Sequence, residues 1–266
     1  VFTFIYSFTD YNYLKGTENA SFVLFDNYVS LFKNGYFQQA VWNTIKFTIL
    51  AVVLEMALGL LIAVFVNSLK RGQKIMRTLL LLPYLLPAVT VALSWRMMLS
   101  ANYGIINQFL KGLGLPVFNW FMDTKTAFGT ILLIDVWQNV PFVFLLLYAS
   151  LQSVSENQYE AARIDGANGF QVAMKIKLPN VRGAALLAML LSIVGTIQLF
   201  NEPQIMSTAD PGISKAYTPL MMAMNTSQGT LTPSGDGPAS AIAIVMALIA
   251  GLLAVVYTLA ERKVNE

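Results

Sequence analysis

The chain of 266 residues contains no cysteine and no histidine, and only 12% of its residues are charged. The missing residue types exclude disulfide bonds, zinc sites built from cysteine or histidine, and histidine-based acid–base catalysis. The G-x-x-x-x-G-K-[ST] phosphate loop is also missing. We therefore expect any ATP to be hydrolysed on another polypeptide, and we expect no cofactor, metal site or enzymatic activity on this chain.

Hydrophobic residues make up 56% of the chain, whereas soluble domains carry about 25% charged residues. This composition predicts an all-α membrane protein, a single transmembrane domain over residues 1–266. A bilayer crossing needs about 20 apolar residues, and Val1 to Phe8 is too short, so we interpret it as the outer end of a helix whose beginning is missing. Complete crossings are predicted at about 41–69, 78–100, 127–151, 183–200 and 239–260.

The positions of the basic residues predict the orientation of these crossings. Ten lysines and arginines lie in the segments on one side, against five in the longer segments on the other. Because cytoplasmic loops are enriched in lysine and arginine, the first side is assigned to the cytoplasm. The net charge of +3 thus reflects membrane orientation, and no nucleic-acid partner is expected. Residues 152–182 become a cytoplasmic loop.

That loop contains the most informative stretch of the chain, EAARIDGANGFQVAMKIKLP, from Glu160 to Pro179. Its first part favours helix, and Gly166 permits a left-handed turn. A second helical piece, Phe170 to Lys177, is expected to stop before Pro179 because proline disfavours the helical region at the preceding residue. Two short helices that meet at a glycine form a compact knuckle suited to another protein's groove.

The spacing E-A-A, three residues, G, nine residues, I-x-L-P resembles the "EAA loop" of permease subunits in binding-protein-dependent ABC importers. Further segments, such as Tyr6 to Asp10 and Asp165 to Ala167, look like the maltose-type, sugar-importing branch. The resemblance implies the six-helix ABC importer permease fold, with the first helix mostly absent from this chain. It also implies that coupling to the ATPase is carried by Glu160, Ala161, Ala162, Asp165, Gly166, Ile176, Leu178 and Pro179.

The same resemblance implies the partners and the location. They are a second permease subunit, two ATP-binding subunits that hold ATP and Mg, and an extracytoplasmic solute-binding protein. The membrane would be the bacterial or archaeal plasma membrane, and the substrate a sugar, of which a di- or oligosaccharide is expected. One departure is visible, because many members carry T-x-G-G-P where this chain has STADPG at 207–212.

Polar residues within the predicted crossings mark a candidate substrate path. Pro83 and Pro87, four residues apart, are expected to bend one helix and to free the carbonyls of Leu79 and Pro83. Aromatic faces together with amide groups suit a neutral sugar, although amides and small residues also join membrane helices. By resemblance, the path consists of Tyr84, Ala88, Gln138, Asn139, Phe142, Gly195, Leu199 and Glu202.

Glu55 lies at the centre of an apolar stretch, where an ionisable group is costly. It is interpreted either as a buried hydrogen-bonding residue or as part of a proton relay with Asp135. Asp135 could alternatively pair with Lys46 or Arg96. The relay hypothesis defines the alternative function, an ion-coupled secondary transporter that uses Glu55 and Asp135. The apparent absence of an inverted repeat argues against it.

The lack of native cysteine makes the predicted orientation easy to test. A cysteine introduced at Ser155 should react with membrane-impermeant reagents only from the cytoplasm, and one at Asn119 only from outside. The measurement is labelling of intact and permeabilised cells. Reversed labelling would contradict the orientation and the cytoplasmic assignment of residues 152–182.

Overall fold

The computed structural model describes residues 1–13, 20–69, 71–153, 162, 164–208 and 212–265, apart from the side chains of 170, 260, 261 and 263–265. Within these residues the regular elements are helices, and the one β-bridge pairs Thr9 with Phe22. The helices are α1 (Phe2–Tyr6), α2 (Asp26–Lys33), α3 (Gly35–Ser68), α4 (Gln73–Leu85), α5 (Ala88–Met98), α6 (Ile105–Gly112), α7 (Thr124–Gln152), α8 (Gly169–Val172), a π-helical turn (Ala173–Lys177), α9 (Leu178–Asn180), α10 (Arg182–Ile197), α11 (Asn201–Ser207), α12 (Pro219–Ser227) and α13 (Asp236–Asn265).

Four stretches of the described chain are long and apolar enough to cross a membrane. They are Gly35–Ser68, Thr124–Gln152, Arg182–Ser207 and Asp236–Leu259. The pair α4 and α5 would add a fifth crossing if its two helices are counted as one broken span. These ranges overlap all five apolar stretches found in the sequence, and the first begins six residues earlier because polar Tyr36, Gln38 and Gln39 are already helical.

The chain folds into two compact units. The first unit comprises Val1–Ile49, Ala88–Ile134 and Thr196–Leu252, and the second comprises Leu50–Pro87, Asp135–Gly195 and Leu253–Glu266. The predicted coupling loop lies in the second unit. The predicted substrate path is divided between the two, so its residues are considered unit by unit.

The second unit is built on close contact between α3 and α7. Gly59 of α3 lies against α7 so tightly that a β-carbon placed there would come within 2.6 Å of Val143 Cγ1 and 3.2 Å of the Phe144 backbone nitrogen. Small residues allow helix backbones to approach in this way, because lipid offers no hydrophobic force that would press helices together. The same core buries Ala63, Val66, Leu147, Leu151 and Val181.

Polar contacts join α3, α4 and α7 at one end of this unit. The Tyr148 hydroxyl donates to Gln73 Oε1 at 3.1 Å, and Gln152 Nε2 donates to Asn67 Oδ1 at 2.7 Å. The guanidinium carbon of Arg77 lies 5.4 Å from the centroid of the Tyr148 ring. Because Arg71, Lys74 and Arg77 cluster here, this is the end that the charge distribution assigns to the cytoplasm.

In the first unit, aromatic and polar contacts connect segments that are far apart in the sequence. The rings of Phe47 and Phe128 meet edge to face at 5.8 Å. Asn43 Nδ2 donates to the carbonyl of Tyr217 at 3.3 Å. Gly237, at the start of α13, donates its N–H to the Tyr11 carbonyl at 2.9 Å, which holds the amino-terminal segment against that helix.

The predicted crossing at 78–100 is not one bent helix. It breaks between α4 and α5, where Leu86 is extended with φ −78° and ψ 138°, the conformation that Pro87 favours in the residue before it. Pro83 lies inside α4. The carbonyl of Pro83, predicted to be free, accepts the Leu86 N–H at 3.3 Å. The expectation that Pro83 and Pro87 bend one continuous helix is therefore wrong, because Pro87 lies in the break between two helices.

We expect Gly59→Ala to destabilise the protein, because the added methyl group would overlap Val143 and push α3 away from α7. Overpacking of this kind costs about 1–3 kcal/mol. The matched control is Gly129→Ala, because a β-carbon at Gly129 meets nothing within 4 Å. Thermal unfolding in detergent should show a lower transition temperature than wild type only for Gly59→Ala. Equal transitions would contradict the close approach of α3 and α7.

Candidate functional site

The described part of the coupling loop begins with a helix that ends at Gly166. Gly166 has φ +76°, in the left-handed region, and Ala167 N–H donates to the Ala162 carbonyl at 2.9 Å. This six-to-one hydrogen bond around a left-handed glycine is the Schellman motif, which satisfies carbonyls that the ending helix leaves free. The glycine turn predicted from the sequence is therefore present in the structure.

A reciprocal pair of hydrogen bonds starts the next helical piece. Asn168 Oδ1 accepts the Gln171 N–H at 2.9 Å, and Gln171 Oε1 accepts the Asn168 N–H at 2.9 Å. This pair has the geometry of a capping box, and α8 begins three residues after Gly166. The chain therefore reverses within a few residues, as the knuckle requires.

The expectation that this second piece stops before Pro179 is wrong. Leu178 is helical, with φ −62° and ψ −44°, and the helix continues to Asn180. The reason is the π-helical turn Ala173–Lys177 that comes directly before it. In a π turn each carbonyl pairs with the N–H five residues later. The carbonyl of Lys175 therefore does not need an N–H from Pro179, which lies four residues later and has none.

The knuckle exposes large apolar side chains to solvent. Ile164 is 86% exposed, Met174 49% and Leu178 37%. Asp165 is also exposed, whereas Ala162, Ile176 and Pro179 are half-buried. Glu160 and Ala161 lie outside the described residues. Apolar side chains clustered on a polar loop are typical of a surface that another protein covers.

In the second unit, the predicted path residues gather around the break after α4. Tyr84 and Phe142 stack, with ring centroids 5.3 Å apart and planes inclined by 22°. Gln138 Nε2 donates to the carbonyl of Leu86 at 3.2 Å. The break frees this carbonyl from helical pairing, and Gln138 satisfies it. Gln138 is itself buried, while Tyr84 is 41% exposed.

Asn139 has a different environment from Gln138. Its Nδ2 donates to the carbonyl of Asp135 at 3.0 Å and to Asp135 Oδ1 at 3.1 Å. Glu55 on α3 makes a separate contact, because its Oε2 accepts a hydrogen bond from the Ser192 hydroxyl. The buried hydrogen-bonding interpretation of Glu55 therefore agrees with the structure.

The two cations considered for Asp135 make other contacts. Lys46 Nζ lies 5.8 Å from the ring centroid of Trp42 and 5.9 Å from that of Phe128. Arg96 Nη1 donates to the carbonyl of Ile205 and to Thr208 Oγ1. Asp135 has Asn139 as an amide neighbour.

The remaining path residues are distributed over both units. Gly195, in the second unit, is exposed, and a β-carbon there would meet nothing within 4 Å. In the first unit, Ala88 begins α5 and is half-buried. Leu199 is buried, and its carbonyl accepts the Thr218 hydroxyl at 2.9 Å. Glu202 is buried in the first turn of α11.

Comparison with known families identifies the protein class. Residues 55–266 match the family described as "Binding-protein-dependent transport system inner membrane component". The chain belongs to this family. The permease is therefore a component of a binding-protein-dependent importer in the inner membrane, and the comparisons give no support to an ion-coupled transporter.

Two curated relatives show how far the similarity extends. The permease is 32% identical over 191 residues to the trehalose/maltose transport system permease protein MalF of Thermococcus litoralis. That match covers 72% of this chain and 65% of the relative. It is 31% identical over 238 residues to the sulfoquinovosyl glycerol transport system permease protein SmoG of Agrobacterium fabrum, covering 90% of this chain and 76% of the relative.

A solved structure shares the fold. It is described as a bacterial ABC transporter involved in the import of the acidic polysaccharide alginate, and one of its chains matches with a TM-score of 0.83 at 21% identity. The match covers 92% of this chain and 85% of that chain. The permease thus has the all-α transmembrane fold of ABC importer permeases, as the sequence predicted.

Two groups at this site were not found from the sequence. The Leu86 carbonyl becomes available only because the helix breaks there, and backbone groups carry no sequence signal. Ser192 lies 137 residues from Glu55, in an apolar stretch where a single serine is unremarkable. The one available signal was indirect, because a carboxyl group buried in lipid needs a hydrogen-bond donor.

We expect Gln138→Ala to lower the stability of the permease, since it leaves the Leu86 carbonyl without its donor. The loss of one such hydrogen bond costs about 0.5–1.5 kcal/mol. The control is Gln198→Ala, which removes an amide that is exposed. Thermal unfolding of the purified protein should show a lower transition for Gln138→Ala than for the control. Equal transition temperatures for the two variants would contradict this structural role of Gln138.

Proposed function

We propose that the permease carries a neutral sugar inward, driven by ATP hydrolysed on separate subunits. The substrate is a di- or oligosaccharide delivered by an extracytoplasmic solute-binding protein. The path opens alternately to either side of the membrane, and it includes Tyr84, Gln138, Asn139, Phe142 and Gly195 in the second unit. In the first unit it includes Ala88, Leu199 and Glu202.

The observation that carries the sugar proposal is the stacked pair Tyr84 and Phe142 beside the broken helix. A half-exposed aromatic platform binds the C–H faces of a sugar ring, and its polar tip can meet hydroxyl groups. Asn139 has a side-chain oxygen that is not used in its contacts with Asp135 and can accept from a sugar hydroxyl. A purely apolar solute would leave the oxygen of Asn139 unused.

The charge of the path residues favours a neutral sugar over an anionic one. None of the eight residues is basic, and Glu202 is a buried acid. An anionic substrate within a membrane calls for a countercharge. The relatives carry different solutes by name, trehalose or maltose in one case and sulfoquinovosyl glycerol in the other. By this argument the substrate of the permease belongs to the same class as trehalose and maltose, the solutes named for the first relative.

Coupling is assigned to the knuckle around Gly166. Its exposed Ile164, Met174 and Leu178 would be covered by an ATP-binding subunit, which carries ATP and Mg. The complex contains two such subunits and a second permease in a bacterial or archaeal plasma membrane. By resemblance, Glu160 and Ala161, which lie outside the described residues, are also assigned to coupling.

Uptake by proteoliposomes tests both parts of the proposal. Labelled maltose or trehalose should accumulate only when ATP, the ATP-binding subunits and the loaded binding protein are all present. An ion gradient alone should support no uptake. Uptake of anionic sugars in preference to neutral ones would contradict the substrate proposal, and uptake driven by a gradient without ATP would contradict the mechanism.

A pair of glycine variants tests the coupling loop. Gly166→Ala should reduce ATPase stimulation by the loaded binding protein, because a side chain at positive φ costs about 1–2 kcal/mol. An energy of that size changes the equilibrium between the formed and the unformed turn by a factor of about 5–30. Gly169→Ala is the control, since Gly169 lies three residues away with open space and no positive φ. Equal stimulation in both variants would remove the Gly166 turn from coupling.

A further inference from the structure

A cleft in the first unit is lined by polar and aromatic residues that the proposed function does not use. Its volume is about 520 Å³, within the range of about 300–1,000 Å³ that small-molecule sites occupy. Its wall consists of three tyrosines, two serines, Gln228 and Asp236, all from the first unit. None of the eight predicted path residues lines it.

In the predicted orientation, the cleft lies on the outer side of the membrane. Tyr6 ends α1, which was interpreted as the outer end of a helix. Asp236 begins α13, directly after the loop that precedes the last crossing, and the charge distribution places this loop outside. A solute outside the cell can therefore reach the cleft without entering the substrate path.

The frame of the cleft is held by main-chain contacts and by one carboxylate. Gly237 donates its N–H to the Tyr11 carbonyl at 2.9 Å. The N–H of Tyr13 donates to Asp236 Oδ2 at 2.8 Å, and the Ser227 hydroxyl donates to Asp236 Oδ1. Because these contacts do not involve the tyrosine rings, the wall forms without using the groups that a ligand would meet.

Several polar groups in the wall remain available to a ligand. Ser240 lines the cleft and is only 8% exposed, yet its hydroxyl makes no hydrogen bond to another described residue. The same is true of the side-chain amide of Gln228 and of the tyrosine hydroxyls. Since buried polar groups are normally hydrogen-bonded, a ligand that pairs with Ser240 supplies the partner that the protein lacks.

The aromatic part of the wall is a stacked pair. The rings of Tyr6 and Tyr11 have centroids 4.5 Å apart and planes inclined by 26°. Such a stack offers a flat apolar surface beside hydroxyl groups, which suits the C–H face of a sugar ring. A carboxylate can accept about four hydrogen bonds, so Asp236 can still accept from sugar hydroxyls after its two contacts within the protein.

The same residues argue against a cation as the ligand. A quaternary ammonium group binds over the faces of aromatic rings, but Tyr6 and Tyr11 each turn one face to the other. Such a ligand would also leave Gln228 and Ser240 without hydrogen bonds. Among the described residues, no group of three or more histidine, cysteine, aspartate or glutamate side chains could hold a metal ion. The combination of donors, acceptors and a ring stack therefore favours a neutral polyhydroxy compound.

We propose that this cleft binds a sugar ring at the outer face of the permease, at a site separate from the substrate path. The ring stacks on the tyrosine pair, and Asp236, Gln228 and Ser240 pair with its hydroxyl groups. Binding is argued from the cleft residues alone. Its use as a first contact for the imported sugar rests on the proposed function.

Protection of an introduced cysteine tests binding without transport. Gln228→Cys is prepared in the complete complex in lipid nanodiscs, without binding protein or ATP, and labelling of this chain by a thiol reagent is followed. Maltose or trehalose should slow the labelling several-fold, whereas tetramethylammonium should not. Tyr103→Cys, at a residue that is 66% exposed and outside the cleft, is the control and should label at the same rate with and without sugar.

A second substitution in the Gln228→Cys background tests where the sugar lies. Ser240→Ala removes one hydroxyl and should raise the sugar concentration for half-protection about 2–10-fold, through the loss of one hydrogen bond. Ser234→Ala, which changes an exposed serine of the same loop, should leave that concentration unchanged. Absence of protection by either sugar, protection by tetramethylammonium, or equal effects of the two serine variants would each overturn the site.

Uptake by proteoliposomes separates this site from the proposed function. At a limiting concentration of loaded binding protein, Ser240→Ala should take up maltose more slowly than Ser234→Ala, and at saturation the two rates should converge. Equal rates at every concentration would overturn the role of the cleft in import. If no neutral sugar is transported at all, the proposed function fails, and protection of Gln228→Cys still decides whether the cleft binds sugar.

Discussion

The lipid interior supplies no hydrogen bonds, and the rest of the structure depends on that constraint. Every backbone and side-chain polar group within the membrane must find its partner in the protein. The permease meets this requirement mainly with long helices, which satisfy their own backbones. Where a helix is interrupted, as at Leu86, a side chain from another helix takes over the pairing. The interruptions are therefore the places where polar chemistry can exist inside the membrane.

This constraint explains why the polar residues of the second unit occur in groups. Gln138 serves the break after α4, Asn139 pairs with Asp135, and Ser192 pairs with Glu55. A single polar residue would be expensive in lipid, whereas a connected set satisfies its own members. The half-exposed ring of Tyr84 lies beside Phe142 in the same unit, where a solute could reach it.

The cytoplasmic knuckle obeys different physics because water can reach it. Its shape comes from local rules, namely a left-handed glycine, a capping box and a π turn. Since these devices use backbone and short-range contacts, the knuckle can expose apolar side chains for a partner without losing its shape.

Much of the fold, and the glycine turn at residue 166, could be predicted from the sequence alone. Apolar length defines a membrane helix, basic residues indicate its orientation, and the glycine at 166 is required by a local turn. These signals are local, so they can be read along the chain. The family resemblance predicted from the EAA spacing agrees with the family match over residues 55–266.

Only the tertiary structure decided which polar groups meet. The partner of Glu55 lies 137 residues away, and hydrogen bonds between helices depend on packing angles that no local pattern encodes. For the same reason the hydrogen bond between Asn139 and Asp135 could not be identified from the sequence. The chain breaks at Leu86 before Pro87 but stays helical through Pro179. Which of these happens depends on the backbone conformation of the neighbouring turns. The sequence by itself determined the class of protein and its helices, and packing determined the chemistry within them.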